Sequence, residues 1–273
     1  MNAPLTHSPG APPNAASARI VAVTSGKGGV GKTFVCANLA AALARRGDRV
    51  LVIDADLGLA NLDVVLNLHP EVTLHDVFTG KADLQEALLE APGGFQVLLA
   101  GSGLIEYSRL TPEVRDRFEE LLESVRSRYD YIFLDTGAGI SEVVLYAVSM
   151  ADEVLIVVTP EPTSMADAYA TVKVLAMQQQ RNAVLVAVNQ TQKVGEGRAV
   201  SQQLQNVVQR FVKLPQLGSV KLRHMGEIPL DPTVRQAVQR RQLLMLTYPG
   251  SSAGQAITQI ATRLHELYEA AAH

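Results

Sequence analysis

A glycine-rich stretch, Gly26-Lys27-Gly28-Gly29-Val30-Gly31-Lys32-Thr33, is the feature that most limits how this chain can fold. It fits the pattern G-x-x-x-x-G-K-[ST], and it lies between an apolar β-branched run at 20–24 and a helix-forming stretch at 33–46. Glycines let the backbone curl so that successive N–H groups converge on one point, and the following helix adds its positive N-terminus. A strand, this loop and a helix therefore predict a phosphate-binding loop.

The rest of the chain repeats the alternation of strand and helix. Further strands are predicted at 50–54, 95–100, 131–135, 154–159, 184–188 and about 218–228, and helices at 112–128, 141–150, 164–180 and 198–213. Nearly continuous apolar strands separated by helices are typical of a parallel sheet covered on both faces. The sequence therefore predicts an α/β fold in which residues 19–273 form a single doubly wound, mostly parallel sheet with helices on both faces.

Composition excludes several classes of protein. The 273 residues are 47% hydrophobic and 19% charged with a net charge of −3, which favours a globular core over intrinsic disorder. No apolar run approaches the roughly 18 residues of a membrane span, and the N-terminus has no secretory-signal pattern. A single cysteine, Cys36, allows no internal disulfide and predicts a reducing, cytoplasmic location. Residues 1–18 contain four prolines and no charged side chain, which predicts a flexible leader.

Chemical roles follow for the end of the loop and for two acidic clusters. Lys32 is expected to reach the β and γ phosphates of a bound nucleoside triphosphate, and the Thr33 hydroxyl is expected to ligate Mg²⁺. Asp54 and Asp56 follow one predicted strand and Asp135 follows another, at the sheet edge where open α/β sheets bind ligands. A carboxylate at such a strand end can hold Mg²⁺ directly or through water. The alternative for Asp54 and Asp56 is that they only cap a turn or helix.

The loop resembles that of the MinD/ParA ATPases, in which an early second lysine corresponds to Lys27. This resemblance implies an Mg²⁺-dependent ATPase in which Lys27 reaches the phosphates of a partner subunit, so that ATP holds two chains together as a homodimer. The alternative is that Lys27 is a solvated loop charge. Residues 54–63 resemble the switch I segment of MinD-like proteins, which implies that Asp56 positions the attacking water and that Asp54 supports the Mg²⁺ shell.

The same resemblance assigns the remaining site residues. Lys27, Lys32 and Asp56 are expected to be catalytic, residues 26–33 to bind ATP or ADP, and Asp135 to hold Mg²⁺ with Thr33 and Asp54. Asn189 and Pro229, at the ends of later predicted strands, are expected to hold the adenine. The alternative for these two residues is ordinary turn chemistry. Six histidines without a ligand pair predict no metal besides Mg²⁺.

Residues 135–140 and 161–169 resemble those of the FlhG (FleN) group, MinD-like ATPases that set the number and placement of bacterial flagella. Gly137 stands where MinD itself usually has proline. The resemblance implies slow hydrolysis and three kinds of partner: an FlhF-type GTPase, components of the flagellar switch ring and, in some lineages, a flagellar transcription activator. Residues 1–18 do not match the activator helix of some members, which argues against stimulation of FlhF through the N-terminus.

Contacts with nucleic acid and with anionic lipid are both disfavoured. Residues 193–241 carry nine basic against three acidic side chains, a net charge of +6, but no added DNA-binding region is present, so nucleic acid is not an expected partner. The helix predicted at 253–272 is amphipathic yet net acidic, so it is expected to pack on the domain rather than on anionic lipid. A peripheral position at the membrane or cell pole stays open. So do two other functions: a regulator of division site or DNA partition, and a nucleotide-gated repressor.

Overall fold

The structure, a computed structural model, describes residues 17–56, 61–101, 111–214 and 218–272. The described residues contain one eight-stranded sheet in the order β3-β4-β2-β5-β1-β6-β7-β8. Its strands are β1 (Arg19–Ser25), β2 (Val50–Ala55), β3 (Leu88–Ala91), β4 (Phe95–Leu98), β5 (Tyr131–Ala138), β6 (Glu153–Val158), β7 (Ala183–Thr191) and β8 (Lys221–Pro229). All neighbours pair in parallel except β3 and β4, which are antiparallel. The prediction of a doubly wound, mostly parallel sheet is confirmed.

Helices cover both faces of the sheet. They are α1 (Lys32–Ala44), α2 (Leu62–Leu66), α3 (Leu74–Phe78), α4 (Leu84–Ala87), α5 (Pro112–Arg126), α6 (Glu142–Ser149), α7 (Pro162–Gln179), α8 (Glu196–Phe211), α9 (Pro232–Gln239), α10 (Leu244–Thr247) and α11 (Ser252–Ala272). Successive side chains of a strand point to opposite faces, so Ile20 and Ala22 join one apolar cluster, and Val21 and Val23 join the other. The first cluster lies under α5 to α8 and the second under α1, α10 and α11.

Several short elements were not predicted. They are strand β3 and the helices α2, α3, α4, α9 and α10, each of eight residues or fewer. Two predicted strands also end too early, because β5 continues to Ala138 beside Ser25 of β1 and β7 continues to Thr191 beside Pro229 of β8. The strand predicted at 95–100 ends at Leu98.

Both ends of the described domain are anchored by packing. Ala18, placed in the predicted leader, is buried, and its N–H donates to the Arg126 carbonyl. Residues 1–16 of that leader lie outside the described residues. Helix α11 packs on β8 and α1, and it buries Ile257, Ile260 and Leu264. None of the helices in the described ranges combines the length and hydrophobicity that crossing a bilayer requires.

The two edges of the sheet are short or obstructed. Strand β3 has four residues. On β8, the register shifts near Gly226, and the Arg263 guanidinium donates to the Met225 carbonyl. Lys221 at the start of β8 is exposed.

Candidate nucleotide site

The glycine-rich loop joins β1 to α1 at the carboxyl ends of the parallel strands. Gly31 has φ 94°, and a Cβ on it would lie 2.5 Å from Asn189 Nδ2. Gly26 is closed in by α7, since a Cβ there would lie 2.2 Å from the Asp167 carbonyl carbon. Both positions therefore exclude any side chain, and the loop is fixed by close packing as well as by backbone conformation.

Lys32 and Thr33 begin α1 and lie among carboxylates. Burial lowers the pKa of Lys32, and the charges of Asp135 and Asp56 oppose that shift. The Thr33 hydroxyl hydrogen-bonds to the Asp135 carboxylate. The first turn of α1 has no acidic residue, so its positive N-terminus is available to an anion.

Asp54 and Asp135 are register partners on the adjacent strands β2 and β5, and both are buried. Burial raises the pKa of Asp135 to about 7, although Thr33 and Lys32 act in the opposite direction. Burial and the neighbouring Asp135 also raise the pKa of Asp54 well above its usual range. Among the described residues, Asp54 Oδ2 and Asp135 Oδ1 have no hydrogen-bond partner.

These oxygens fit a magnesium site. Mg²⁺ prefers oxygen ligands and is usually held by one or two carboxylates plus water and substrate phosphates. Thr33, Asp54 and Asp135 offer a hydroxyl and two buried carboxylates, and a divalent cation would offset the repulsion between the carboxylates. No cluster of three His, Cys, Asp or Glu that could hold a metal ion is present among the described residues.

Asp56 follows β2, and its N–H donates to Asp54 Oδ1 at 3.1 Å. A Cβ on Gly137 would lie 3.3 Å from Asp56 Oδ1, so the glycine leaves space beside this carboxylate. Residues 57–60, which complete the predicted switch segment, lie outside the described residues.

Lys27 contacts residues at the start of α7. Its Nζ donates to Glu161 Oε2 at 2.8 Å and to Thr163 Oγ1 at 3.2 Å. The Lys27 side chain is 40% exposed and the Glu161 side chain 60%, so this ion pair is at the surface. Glu161 and Thr163 belong to the FlhG-like segment, but no sequence pattern pairs them with Lys27.

An open cleft of about 610 Å³ lies along the loop, within the range of small-ligand pockets. Gly28, Gly29, Gly31, Lys32 and Thr33 line one part of it, and Asp56 and Gly137 another. Asn61, Thr136 and Ser141 also line it and were not predicted. Thr136 lies in the last residues of β5, and Asn61 and Ser141 lie in the segments that follow β2 and β5. Such positions at the carboxyl ends of parallel strands were the signal that could have identified them.

Asn189 and Pro229 lie near the ends of β7 and β8, outside the lining of this cleft. Asn189 is buried, and its Nδ2 donates to the Val30 carbonyl at 2.8 Å while its Oδ1 accepts from Gln190 N–H. Asn189 therefore holds the glycine-rich loop against β7. The adenine contacts expected for Asn189 and Pro229 stay predictions.

Known proteins match both the sequence and the fold. Residues 18–193 match the family described as AAA domain. The chain is 40% identical to the antiactivator FleN of Pseudomonas aeruginosa over 90% of this chain and 86% of FleN. It is 34% identical to the flagellum site-determining protein YlxH of Helicobacter pylori over 91% of this chain and 82% of YlxH.

A solved structure has a similar fold. The septum site-determining protein MinD of Pyrococcus horikoshii, complexed with Mg-ADP, is 26% identical to this chain, with a TM-score of 0.73 over 92% of this chain and 97% of MinD. The glycine-rich loop, the carboxylates at the ends of β2 and β5, and these similarities lead to one assignment. The chain belongs to the MinD/ParA family of P-loop ATPases and is similar to the FlhG (FleN) members of that family.

Proposed function

We propose that this protein is an ATP-driven switch that forms a homodimer with ATP, hydrolyses it slowly and regulates the number or placement of flagella. A relative that matches most of the chain supports the flagellar part of the proposal by its name, flagellum site-determining protein, and a second, the antiactivator FleN, belongs to the FlhG (FleN) group that the sequence resembles. The site geometry supports the ATPase part. A cytoplasmic location accompanies this function.

The position of Lys27 is the observation that carries the proposal. The lysine belongs to the phosphate loop, yet it is half-exposed at the surface and takes no part in lining the cleft of its own chain. A cation placed in this way can reach the phosphates of a second subunit. Ile140, Val194 and Leu230, which follow β5, β7 and β8 at the same edge, are also exposed and provide apolar surface for such a contact.

The residues of one subunit divide the reaction between them. Loop N–H groups and Lys32 bind the phosphates, while Thr33, Asp54 and Asp135 hold Mg²⁺. When bound, Mg²⁺ neutralises charge on the phosphate oxygens. Asp56 lies on the cleft wall and orients the attacking water. Lys27 of each subunit adds positive charge to the other subunit's site, so hydrolysis requires the dimer.

The solution mass of Asp56→Ala tests this switch directly. With Mg²⁺ and ATP the variant is expected to be a dimer, because it retains the phosphate-binding residues but hydrolyses ATP slowly. With ADP it is expected to be a monomer. Size-exclusion chromatography with light scattering measures both masses.

Lys27→Ala in the Asp56→Ala background is the matching test of the cross-subunit lysine. It is expected to remain monomeric with ATP, and Lys221→Ala, which changes an exposed lysine at the start of β8, is the control. A mass that does not change with nucleotide, or a dimer that survives Lys27→Ala, would contradict the switch.

The Lys27–Glu161 contact gives a second prediction. Lys27 must leave Glu161 before it can reach a partner subunit, so Glu161→Gln is expected to lower the protein concentration needed for half-maximal ATP-dependent dimerisation. An exposed ion pair contributes about 0.2–1 kcal/mol and each dimer breaks two of them, which limits the change to roughly thirtyfold. Glu123→Gln, which breaks the exposed pair with Arg126, is the control and should change nothing. A weaker Glu161→Gln dimer would indicate that Glu161 stabilises the dimer instead.

The flagellar role requires a test in cells. A strain without the gene is expected to show an altered number or position of flagella by electron microscopy, and wild-type protein but not Lys27→Ala should restore the pattern. Unchanged flagella with altered division sites or plasmid loss would favour a division or partition regulator. If the flagella change as expected, binding assays with an FlhF-type GTPase and switch-ring proteins would identify the partner.

The similarity to an antiactivator favours a second candidate, a nucleotide-gated repressor that sequesters a flagellar transcription activator. This candidate predicts that Asp56→Ala, although unable to turn over ATP, still represses flagellar transcription. If Asp56→Ala forms the dimer and repression is lost, hydrolysis is needed and the sequestration function is wrong.

A further inference from the structure

A long part of the C-terminal region is free of acidic residues. Residues 232–265 contain no Asp, Glu or Lys, although the chain has 27 acidic residues in total. The same stretch contains Arg235, Arg240, Arg241 and Arg263. All the formal positive charge of this stretch is therefore on arginine.

Three of these arginines lie on or just after α9 and a fourth, Arg45, follows α1, and both of these helices pack against the short helix α10. Arg45, just after α1, donates to the Met245 carbonyl at 2.7 Å, and Arg240 donates to the Tyr248 hydroxyl at 3.3 Å. Helix α10 is itself tied to α1, because Met245 N–H donates to Asn38 Oδ1. Arg235 and Arg241 are exposed on and just after α9, which packs beside α10. We call Arg45, Arg235, Arg240, Arg241, Val238 and Leu246 the arginine face.

The charge of this face is not neutralised within the described part of the chain. Arg49, Arg115 and Arg126 each form an ion pair, whereas the four arginines of the face form none with any described residue. Asp231, the acidic residue that precedes α9, is occupied as a cap, since its carboxylate accepts from Thr233, Ser252 and Ala253. The face therefore presents four uncompensated positive charges to solvent.

Exposed aliphatic side chains lie among these charges. Val238 is 51% exposed and Leu246 is 46% exposed. Arginine is enriched in protein–protein interfaces and lysine is depleted, and guanidinium groups bind carboxylates in bidentate fashion. A surface for a nucleic-acid single strand would instead combine cations with exposed aromatic rings for base stacking, and the ring beside this face, Tyr248, is partly buried against the second apolar cluster.

We propose that the arginine face docks an acidic polypeptide segment of a partner protein, whose carboxylates pair with the arginines and whose apolar side chains cover Val238 and Leu246. The N-terminal residues 1–16 of this chain are not the occupant, because they contain no Asp or Glu. The inference goes beyond the proposed switch, and it stands whether or not the protein dimerises.

The face is connected to the nucleotide site by helix α1, which starts at Lys32 and Thr33 and is followed by Arg45. The helices that carry the arginine face or support it, α1, α9 and α10, pack over the second apolar cluster. Lys27 instead contacts the start of α7, which packs over the first apolar cluster. A partner on the arginine face therefore leaves the Lys27 surface free for a second subunit.

Fluorescence anisotropy with synthetic peptides tests the proposal on the full-length protein. The probe is an amphipathic peptide with Leu at helical spacing and Glu elsewhere. Its two comparison peptides replace every Leu by Ala or every Glu by Gln. The probe is expected to bind more tightly than both, with an affinity that falls as salt is raised.

The variant Arg235→Gln/Arg240→Gln/Arg241→Gln is expected to weaken probe binding by roughly tenfold, since three exposed ion pairs are lost together. Leu246→Ser should weaken it to a smaller extent. Arg210→Gln, at the exposed end of α8 under the other face of the sheet, is the matched control and should bind like wild type. Unchanged melting temperature and ADP binding would show that the triple variant folds.

Two results would overturn the proposal. One is equal binding of the probe to wild type and to the triple variant, or no preference of wild type for the probe over its comparison peptides. The other is tight binding of duplex DNA or of anionic phospholipid vesicles at the same salt, lost in the triple variant, while the acidic peptide does not bind. That result would assign the face to phosphate rather than to carboxylate.

Discussion

Asp135→Asn is expected to make the nucleotide-free protein more stable at about pH 8 and also to lower its ATPase activity by roughly a hundredfold or more. The two effects have one cause. Asp135 is buried beside Asp54, and its Oδ1 receives no hydrogen bond from any described residue, so its negative charge destabilises the nucleotide-free protein. In the proposed function, the same charge would hold Mg²⁺ when nucleotide is bound.

The pH dependence follows from the direction of the pKa shift. The pKa of Asp135 is raised from 3.8 to about 7 in the folded protein, so the folded state holds this proton more tightly than the unfolded state does. The stabilisation from the protonated carboxyl is complete below about pH 4 and is lost as the pH rises through about 7. Asn cannot ionise, so the variant avoids a loss of at most about 4 kcal/mol.

Urea unfolding of the nucleotide-free proteins at about pH 5 and pH 8 measures this difference. The control is Asp130→Asn at the other end of the same strand, where a hydrogen bond from Arg49 lowers the pKa of Asp130. Asp130→Asn is expected to lower the free energy of unfolding at neutral pH, which is opposite in sign to the effect expected for Asp135→Asn. If Asp135→Asn were less stable than wild type at pH 8, the carboxylate would be stabilising the empty site after all.

Gly26→Ala is expected to destabilise the whole domain by roughly 3 kcal/mol or more, or to prevent soluble expression. The added methyl group would lie 2.2 Å from the Asp167 carbonyl carbon, which belongs to the backbone of α7 and cannot rotate away. The loop and helix α7 would have to separate just after the carboxyl end of β1. Thermal unfolding without nucleotide measures the effect.

Gly28→Ala is the matched control, since a Cβ at Gly28 meets no atom within 4 Å. Its melting temperature is expected to stay within a few degrees of wild type. Any loss of ATP binding by Gly28→Ala would therefore report on the phosphate cradle alone. Equal melting temperatures for the two alanine variants would show that the loop yields at Gly26 and that its packing against α7 is loose.

The sequence predicted those parts of the site that depend on residues close together in the chain. The phosphate loop is one continuous motif, and Asp54 and Asp135 each end an apolar run, so the sequence pattern alone assigns both carboxylates to the ligand-binding edge of the sheet. Their pairing across β2 and β5 follows from the parallel register.

Contacts between distant residues could not be predicted in this way. Lys27 and Glu161 are 134 residues apart, and no periodicity relates them. Asn189 supports Val30 through a contact of the same kind, across 159 residues. Short elements were not predicted for another reason. Helix α10 and strand β3 have four residues each, which is too few to show a helical or strand period, and tertiary packing determines their conformation.

The obstructed sheet edges determine how two copies of this protein can associate. A four-residue β3 and a β8 interrupted at Gly226, with the Met225 carbonyl already engaged by Arg263, offer little backbone to a neighbouring strand. Permanent assembly through a shared sheet is thereby discouraged. In the proposed switch, copies would meet instead at the loop-bearing end of the strands, where bound ATP would form part of the contact, so that association could be reversed each time the ligand changes.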